Sequence, residues 1–231
     1  MARTNPVTGR RQWPGLRHER ALLREGYHLV AGIDEAGRGA WAGPVYAAAV
    51  ILPITAAGCR SLHGVNDSKQ LTPQQREWYR ELIPRVALAW AVASASHQEI
   101  DQLGIVPATR LAMVRAVNSL QLNPDALVID AVKLPDLPQR QDVFFYADSI
   151  SLSVAAASIM AKTERDAFMC RLAQELPSYG FESHKGYGTS LHQAALRQWG
   201  VSWAHRRSYA PIQRLCATPN KYAPVCPGAS L

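Results

Sequence analysis

His28-Leu29-Val30-Ala31-Gly32-Ile33-Asp34-Glu35-Ala36-Gly37-Arg38-Gly39 is an apolar run that ends in two acids and a glycine-rich segment. A second apolar run, Pro44 to Leu52, follows at once. The first run predicts a strand over His28–Ile33 and the second a strand over Pro44–Leu52, joined as a hairpin through the glycine-rich stretch. A third strand is expected over Val86–Ala95, antiparallel with the first two.

Further along, the period of the apolar residues changes. Thr72-Pro73-Gln74-Gln75 reads as a helix start, with Thr72 as N-cap, Pro73 at the first position and Gln75 closing a capping box. That helix is expected to stop at Pro84. Helical sequence over His97–Leu120 is interrupted near Pro107. Short buried strands are expected at Ala126–Ile129 and Val143–Tyr146, then a long helix with a small-residue face over Ser149–Glu175. A last helix, Thr189–Gln198, is closed by Gly200. The order predicts an α/β chain with a mixed sheet, three antiparallel strands followed by parallel ones, flanked by helices.

Acids fall at the carboxyl ends of three of these strands: Asp34 and Glu35, then Asp130, then Asp148. That edge of an α/β sheet is where ligands bind. Singly, each has an ordinary explanation: Asp148 caps a helix, Asp130 opens a turn, Asp34-Glu35 is a solvated strand end. As a set on a basic chain they favour a cation site, because clustered carboxylates repel one another and oxygen donors suit Mg²⁺ or Mn²⁺. Two such ions can clamp a phosphodiester for in-line hydrolysis. Neighbouring strand residues point to opposite faces, so Asp34 and Glu35 are expected to share a site only where the backbone leaves the regular pleat, which Gly37 and Gly39 permit.

Other segments suit phosphate or nucleic acid, each against a plainer reading as a surface turn. Arg38 between Gly37 and Gly39 can meet a phosphate. Ser68 and Lys69 offer a hydroxyl and an ammonium just before a helix. Lys185 and Tyr187, in His184-Lys185-Gly186-Tyr187-Gly188-Thr189, present a cation and a ring able to stack on a sugar or base. His205-Arg206-Arg207 reads as a basic spot on a solvated face. His184 and His205 receive no catalytic role, since no Ser or Cys nucleophile motif lies near them.

The 231 residues carry 25 Lys plus Arg against 18 Asp plus Glu, a net +7, with 48% hydrophobic residues. This is globular composition with a core large enough to need no disulfide or metal staple, and the basic balance favours an anionic partner. Cys59, Cys170, Cys216 and Cys226 show neither CxxC nor Cys/His metal spacing, so a reducing compartment is expected. No apolar leader opens the chain and no stretch is long enough to span a bilayer, so a cytoplasmic protein without membrane contact is expected. Residues 1–26 read as a flexible basic arm in which Arg17–Arg24 can form a short helix. Residues 27–216 read as one domain with C-terminal helices, and residues 217–231 as a flexible Pro-rich tail.

The chain resembles bacterial ribonuclease HII, of the type 2 ribonuclease H family. The resemblance rests on AGIDEAGRGAWAGPV from Ala31, NDSKQLT from Asn66, EID from Glu99, LVID from Leu127, AASIMAKTERD from Ala156, YGFESHKGYGT from Tyr179 and HRRSYAP from His205. It implies a ribonuclease H-like fold and a metal-dependent endonuclease using Mg²⁺ or Mn²⁺, with two ions; a monomer is the default expectation. Its substrates would be the RNA strand of RNA–DNA hybrids and duplex DNA containing ribonucleotides, nicked 5′ of the ribonucleotide to leave a 5′-phosphate and a 3′-hydroxyl. Ribonucleotide removal in DNA replication and repair would be its role. The resemblance assigns metal ligation and catalysis to Asp34, Glu35, Asp130 and Asp148. It assigns reading of the 2′-hydroxyl to Gly37, Arg38 and Gly39, phosphate binding to Lys69, and stacking at the RNA–DNA junction to Tyr187. Ala40 stands where relatives commonly have Pro, and Ala131 and Ala147 where they have Gly. A Cβ beside Asp130 or Asp148 is expected to shift the backbone there. The competing expectations are a non-catalytic nucleic-acid-binding protein on the same fold and a different DNA nuclease of that fold.

Overall fold

In the computed structural model, which describes residues 13–55 and 60–217, the opening apolar run forms strand β1, Val30–Ala36. It pairs antiparallel with β2, Val45–Ile51, in unbroken register from Ala31 opposite Ile51 to Ala36 opposite Tyr46. On its other side β1 pairs parallel with β4, Ala126–Asp130, and β4 pairs parallel with β5, Arg140–Phe144. With β3, Ala89–Ala95, at the far edge, the sheet order is β3-β2-β1-β4-β5, the mixed sheet expected from the sequence.

The described helices are α1 (Arg17–Arg24), α2 (Pro73–Val86), α3 (His97–Leu103), α4 (Ile105–Asn118), α5 (Leu152–Glu175), α6 (Phe181–His184), α7 (Ser190–Trp199) and α8 (Ala210–Ala217). The capping box at α2 forms as read, Thr72 accepting from the Gln75 amide while Gln75 reaches back to the Thr72 amide. Several expected boundaries move. Helix α2 runs through Pro84 to Val86, because a proline this close to a helix end removes a single hydrogen bond. The break in the next helical stretch falls at Gly104, whose φ of 84° ends α3, while Pro107 lies in the first turn of α4 where its missing N–H costs nothing. The long helix begins at Leu152 rather than Ser149.

The chain divides into two compact units, one from the described parts of Met1–Ala36, Tyr46–Ser94 and Thr109–Glu164, the other from those of Gly37–Val45, Ala95–Ala108 and Arg165–Leu231. The first holds the sheet. Its core sets Ala48 and Val50 of β2 and Tyr79 and Ile83 of α2 against Ala155, Ala156, Ala157, Ile159 and Met160 of α5. These alanines are the small-residue face read from the sequence, and they let α5 lie close to the sheet. At Gly32 the approach is closer still: a Cβ there would sit 2.2 Å from the Ser153 carbonyl carbon, so only glycine admits the first turn of α5 onto β1. Within the stretch expected to be a flexible arm, α1 buries Leu22 in a core with Val30, Val128, Ala147 and Val154. The second unit packs Met169, Leu172, Phe181, Leu196 and Ile212 together. Residues 1–12 of the expected arm, Cys59, and the tail beyond Ala217 with Cys226 lie outside the described residues. Among the described residues Cys170 and Cys216 are free thiols, and no helix is long and apolar enough to cross a membrane.

Candidate active site

Parallel pairing decides where the acids meet. β1 and β4 are in register up to Ile33 opposite Ile129, so the next residue on each strand, Asp34 and Asp130, stand side by side. Oxygens of Asp34, Glu35 and Asp130 lie within 4.8 Å of one another. The expectation that the pleat must break for Asp34 and Glu35 to share a site is not met. The β1–β2 ladder continues through both residues to Ala36, and the Asp34 carboxylate instead turns along the strand, accepting the Glu35 amide at 2.7 Å.

Asp148 reaches the cluster by a different route and does not cap the long helix. It sits within a 3-10 turn, Ala147–Ser149, that follows Tyr146 in the left-handed region at φ 63°. The turn is fastened to the neighbouring strand end, since the Ala147 N–H donates to Asp130 Oδ1 at 2.8 Å. Ala131, where a Cβ was expected to disturb the backbone, takes φ 54° with this bond intact.

The electrostatics are those of a site short of positive charge. Burial raises the Asp34 carboxyl well above the ordinary carboxylate value, and the charges of Glu35, Asp130 and Asp148 raise it further. Burial, then Asp67 and Asp130, push Asp148 up to about 7. Burial also raises Asp130, against the pull of the Ala147 amide and Lys69. Burial alone would lower the Lys69 ammonium, but Asp67, Asp34, Asp148 and Asp130 outweigh it and raise the value, so Lys69 stays protonated. Oxygen-only donors, buried and mutually repelling, fit a hard divalent cation and suit no soft metal.

Asp67 belongs to this environment although the sequence reading did not single it out. It caps a 3-10 turn over Ser68–Gln70 by accepting the Lys69 amide at 2.9 Å, and it shares a hydrogen bond with Asp148. Its signal was its place between Asn66 and Ser68, read there as turn chemistry. Ser68, expected to offer its hydroxyl beside Lys69, is buried, and its Oγ accepts from Ser158 Oγ of α5 at 2.9 Å.

The remaining expected residues lie in the second unit. The carbonyls of Gly37 and Arg38 accept from Arg206 at 2.8 and 2.9 Å, and the Arg38 carbonyl also accepts from the Tyr209 hydroxyl at 2.6 Å. Gly39 faces open space. The Lys185 ammonium donates to the Glu182 carbonyl of its own turn, and its backbone carbonyl accepts from Arg165 at 3.0 Å. The Arg165 guanidinium carbon stands 5.4 Å from the centre of the Tyr187 ring. Arg165 and Arg206, both fully buried, are the residues tying these loops together that the sequence hid. The basic spot read at His205-Arg206 as a solvated face is interior. Arg206 bonds the carbonyls of Gly43 and Pro44 as well, so its charge is spent on backbone dipoles of the 37–44 loop.

The geometry agrees with the chain's relatives. Residues 31–211 match the family model of ribonuclease HII. A ribonuclease HII of Roseiflexus castenholzii is 52% identical over 200 residues, covering 86% of this chain and 89% of the relative. Among solved structures, the ribonuclease H2 of Pyrococcus horikoshii superposes with a TM-score of 0.69 at 27% identity, covering 81% of this chain and 97% of that one. Ribonuclease HII of Archaeoglobus fulgidus, solved as a complex with PCNA, gives a TM-score of 0.66 at 27% identity, covering 79% and 95%. The sheet order, the carboxylates at its strand ends and a match spanning most of the chain lead to one assignment: this chain belongs to the ribonuclease HII family, metal-dependent ribonucleases H on a ribonuclease H-like fold.

Proposed function

We propose that this chain hydrolyses the RNA strand of RNA–DNA hybrids and nicks duplex DNA on the 5′ side of an embedded ribonucleotide, with Mg²⁺ or Mn²⁺ held by Asp34, Glu35, Asp130 and Asp148. The observation that carries the reading is the like-charged cluster at the ends of β1 and β4, in which burial raises Asp34 and Asp130 and the neighbouring acids raise Asp34 further. Asp34, Glu35, Asp130 and Asp148 together would hold two ions. When bound, divalent cations supply an activated water for in-line attack on phosphorus and charge neutralisation at the phosphodiester.

The chain's own residues do the rest. The Asp34 side chain is oriented by the Glu35 amide, and Asp130 by the Ala147 amide, so neither must reorganise when the site fills. Lys69, a permanent cation, binds a phosphate oxygen of the strand. Ser68 holds the turn that carries Lys69, through its bond with Ser158. In the second unit the 37–39 segment reads the ribose 2′-hydroxyl, the group that separates RNA from DNA. Arg38 meets a neighbouring phosphate, and the Tyr187 ring stacks at the junction. Lys185 serves chiefly to shape the Tyr187 turn, since its ammonium is bonded to Glu182. A role in removing ribonucleotides from DNA follows from this specificity.

The test is hybrid cleavage by the wild type and two variants. Asp34→Asn should lower kcat by about a hundredfold or more, the loss of several kcal/mol of transition-state charge stabilisation. Arg38→Ala should raise KM by about tenfold with a smaller change in kcat. Normal turnover by Asp34→Asn would overturn the ligand assignment.

A further inference from the structure

Three histidines, His184, His192 and His205, are buried together in the second unit, two of them with no exposed surface. The hydrolysis described above uses none of them. Their hydrogen bonds fix where each proton sits. The Ser202 amide donates to His205 Nδ1 at 3.0 Å, so that nitrogen carries a lone pair and the neutral ring bears its proton on Nε2. His205 Nε2 lies 3.0 Å from His192 Nε2, which must then accept. His192 therefore carries its proton on Nδ1, and Nδ1 lies 3.0 Å from the Tyr187 carbonyl, a group that can only accept. The two ends of the chain of bonds demand complementary tautomers independently, and in the middle they supply one proton and one lone pair.

We propose that His205 and His192 are positioning residues for Tyr187: a relay of two neutral imidazoles, running from Ser202 to the Tyr187 carbonyl, sets the 185–189 turn so that the Tyr187 ring is presented in one orientation. This rests on the reading of Tyr187 as the residue that stacks on the substrate. The turn is over-determined around that carbonyl. The Thr189 amide donates to the same oxygen at 2.8 Å. His184 stacks on His192 with ring centres 4.4 Å apart, while its own Nδ1 accepts the Gly186 amide at 3.2 Å and its Nε2 meets the Tyr179 carbonyl at 2.7 Å. Gly188 lies so close to Trp41 that a Cβ would stand 2.1 Å from its ring. A second proton on His192 would set two N–H groups against each other at the His192–His205 contact, and one on His205 would set its Nδ1 against the Ser202 amide. Burial, reinforced by the neighbouring imidazoles, keeps both rings neutral, lowering His192 to about 4 and His205 to about 3.

Nitrogen-15 NMR of the wild-type protein near pH 7 should show His192 protonated on Nδ1 and His205 on Nε2. The opposite tautomers, or a charged ring, would overturn the relay. Kinetics on a DNA duplex with one ribonucleotide then test its purpose. His192→Phe keeps the ring and its stack but not the donor, and should raise KM by about tenfold while kcat at saturation stays within about twofold, as for loss of one stacked base. His192→Asn places an amide nitrogen near the Nδ1 position and should recover most of that KM. If the Asn variant folds yet shows no recovery, or if both variants fold with wild-type KM, the relay has no positioning role. In a Tyr187→Ala background His192→Phe should add nothing further to KM. Should Tyr187→Ala itself leave KM unchanged, the stacking reading of Tyr187 fails instead, a result separable from the NMR outcome.

Discussion

Replacing Asp148 by Asn should make the metal-free protein more stable and the enzyme inactive. Asp148 is 4% exposed, with its carboxyl pushed up to about 7 by burial and by Asp67 and Asp130. Its unfolded value is 3.8. A group whose folded value is raised takes up a proton in the native state that the unfolded chain lacks. Its full contribution to stability is present below pH 4 and is lost as pH rises towards 7. Above that, the ionised carboxylate strains the fold by the gap between these two values. At about 1.4 kcal/mol per unit this sets a ceiling of about 4 kcal/mol. Lys69 and residual hydration reduce what is recovered, so about 2 kcal/mol is expected from Asn, which is isosteric, uncharged and able to donate to Asp67. Urea unfolding in EDTA at pH 8 and pH 4.5 measures it. The variant should gain about 2 kcal/mol over wild type at pH 8 and only about 0.5 kcal/mol at pH 4.5. In saturating Mg²⁺ the order at pH 8 should reverse, because wild type gains about 2.7 kcal/mol at a hundred times its Kd and the variant binds more weakly. No gain at pH 8 without metal, or an equal gain at both pH values, would refute the reasoning that these carboxylates are held against their own repulsion.

Two further expectations concern the same loops and the buried histidines. Ala131 occupies φ 54°, so Ala131→Gly should stabilise by about 1 kcal/mol in urea unfolding, whereas Ala147→Gly should destabilise by about 1 kcal/mol, because the Ala147 methyl is buried. His192 and His205 have folded values below the ordinary 6.5, so the stability they lend is complete above pH 6.5 and is lost below it, at about 1.4 kcal/mol per unit for each ring. In an NMR titration of the folded protein neither ring should take a proton above pH 5, and protonation of either near pH 6 would contradict their burial.

How much of this could be read from residues alone differs by element. The strand ends bearing Asp34 and Asp130 were legible because a fully buried strand is a continuous apolar run, and an acid closing such a run stands out. Their adjacency then follows from parallel register, a property of pairing that no single segment contains. Asp148 was legible as a candidate but not in its setting: an Asp before an alanine-rich helix looks like a cap, and the left-handed Tyr146 that turns it inward leaves no trace in composition. Continuation of β1 through Glu35 was missed because acids and glycines argue for a strand end, while the ladder to Ala47 and Tyr46 overrides that local preference. Arg165 and Arg206 were the hardest. A charged residue in a helix, or in a run such as His205-Arg206-Arg207, reads as solvated, and only backbone carbonyls brought from residues 37–44 make an interior guanidinium tolerable. The interior histidines were hidden for the same reason, their partners being backbone amides, carbonyls and each other.

On the reading proposed above, the carboxylate cluster at the strand ends cuts beside a ribonucleotide with the help of divalent cations. Its most direct test is cleavage of a DNA duplex carrying one embedded ribonucleotide, beside an all-DNA duplex of the same sequence, each with Mg²⁺, Mn²⁺ or EDTA. A single nick on the 5′ side of the ribonucleotide, leaving a 3′-hydroxyl, is expected with either ion and none in EDTA, with the all-DNA control intact. Equal cutting of the control, or a nick that persists in EDTA, would contradict it.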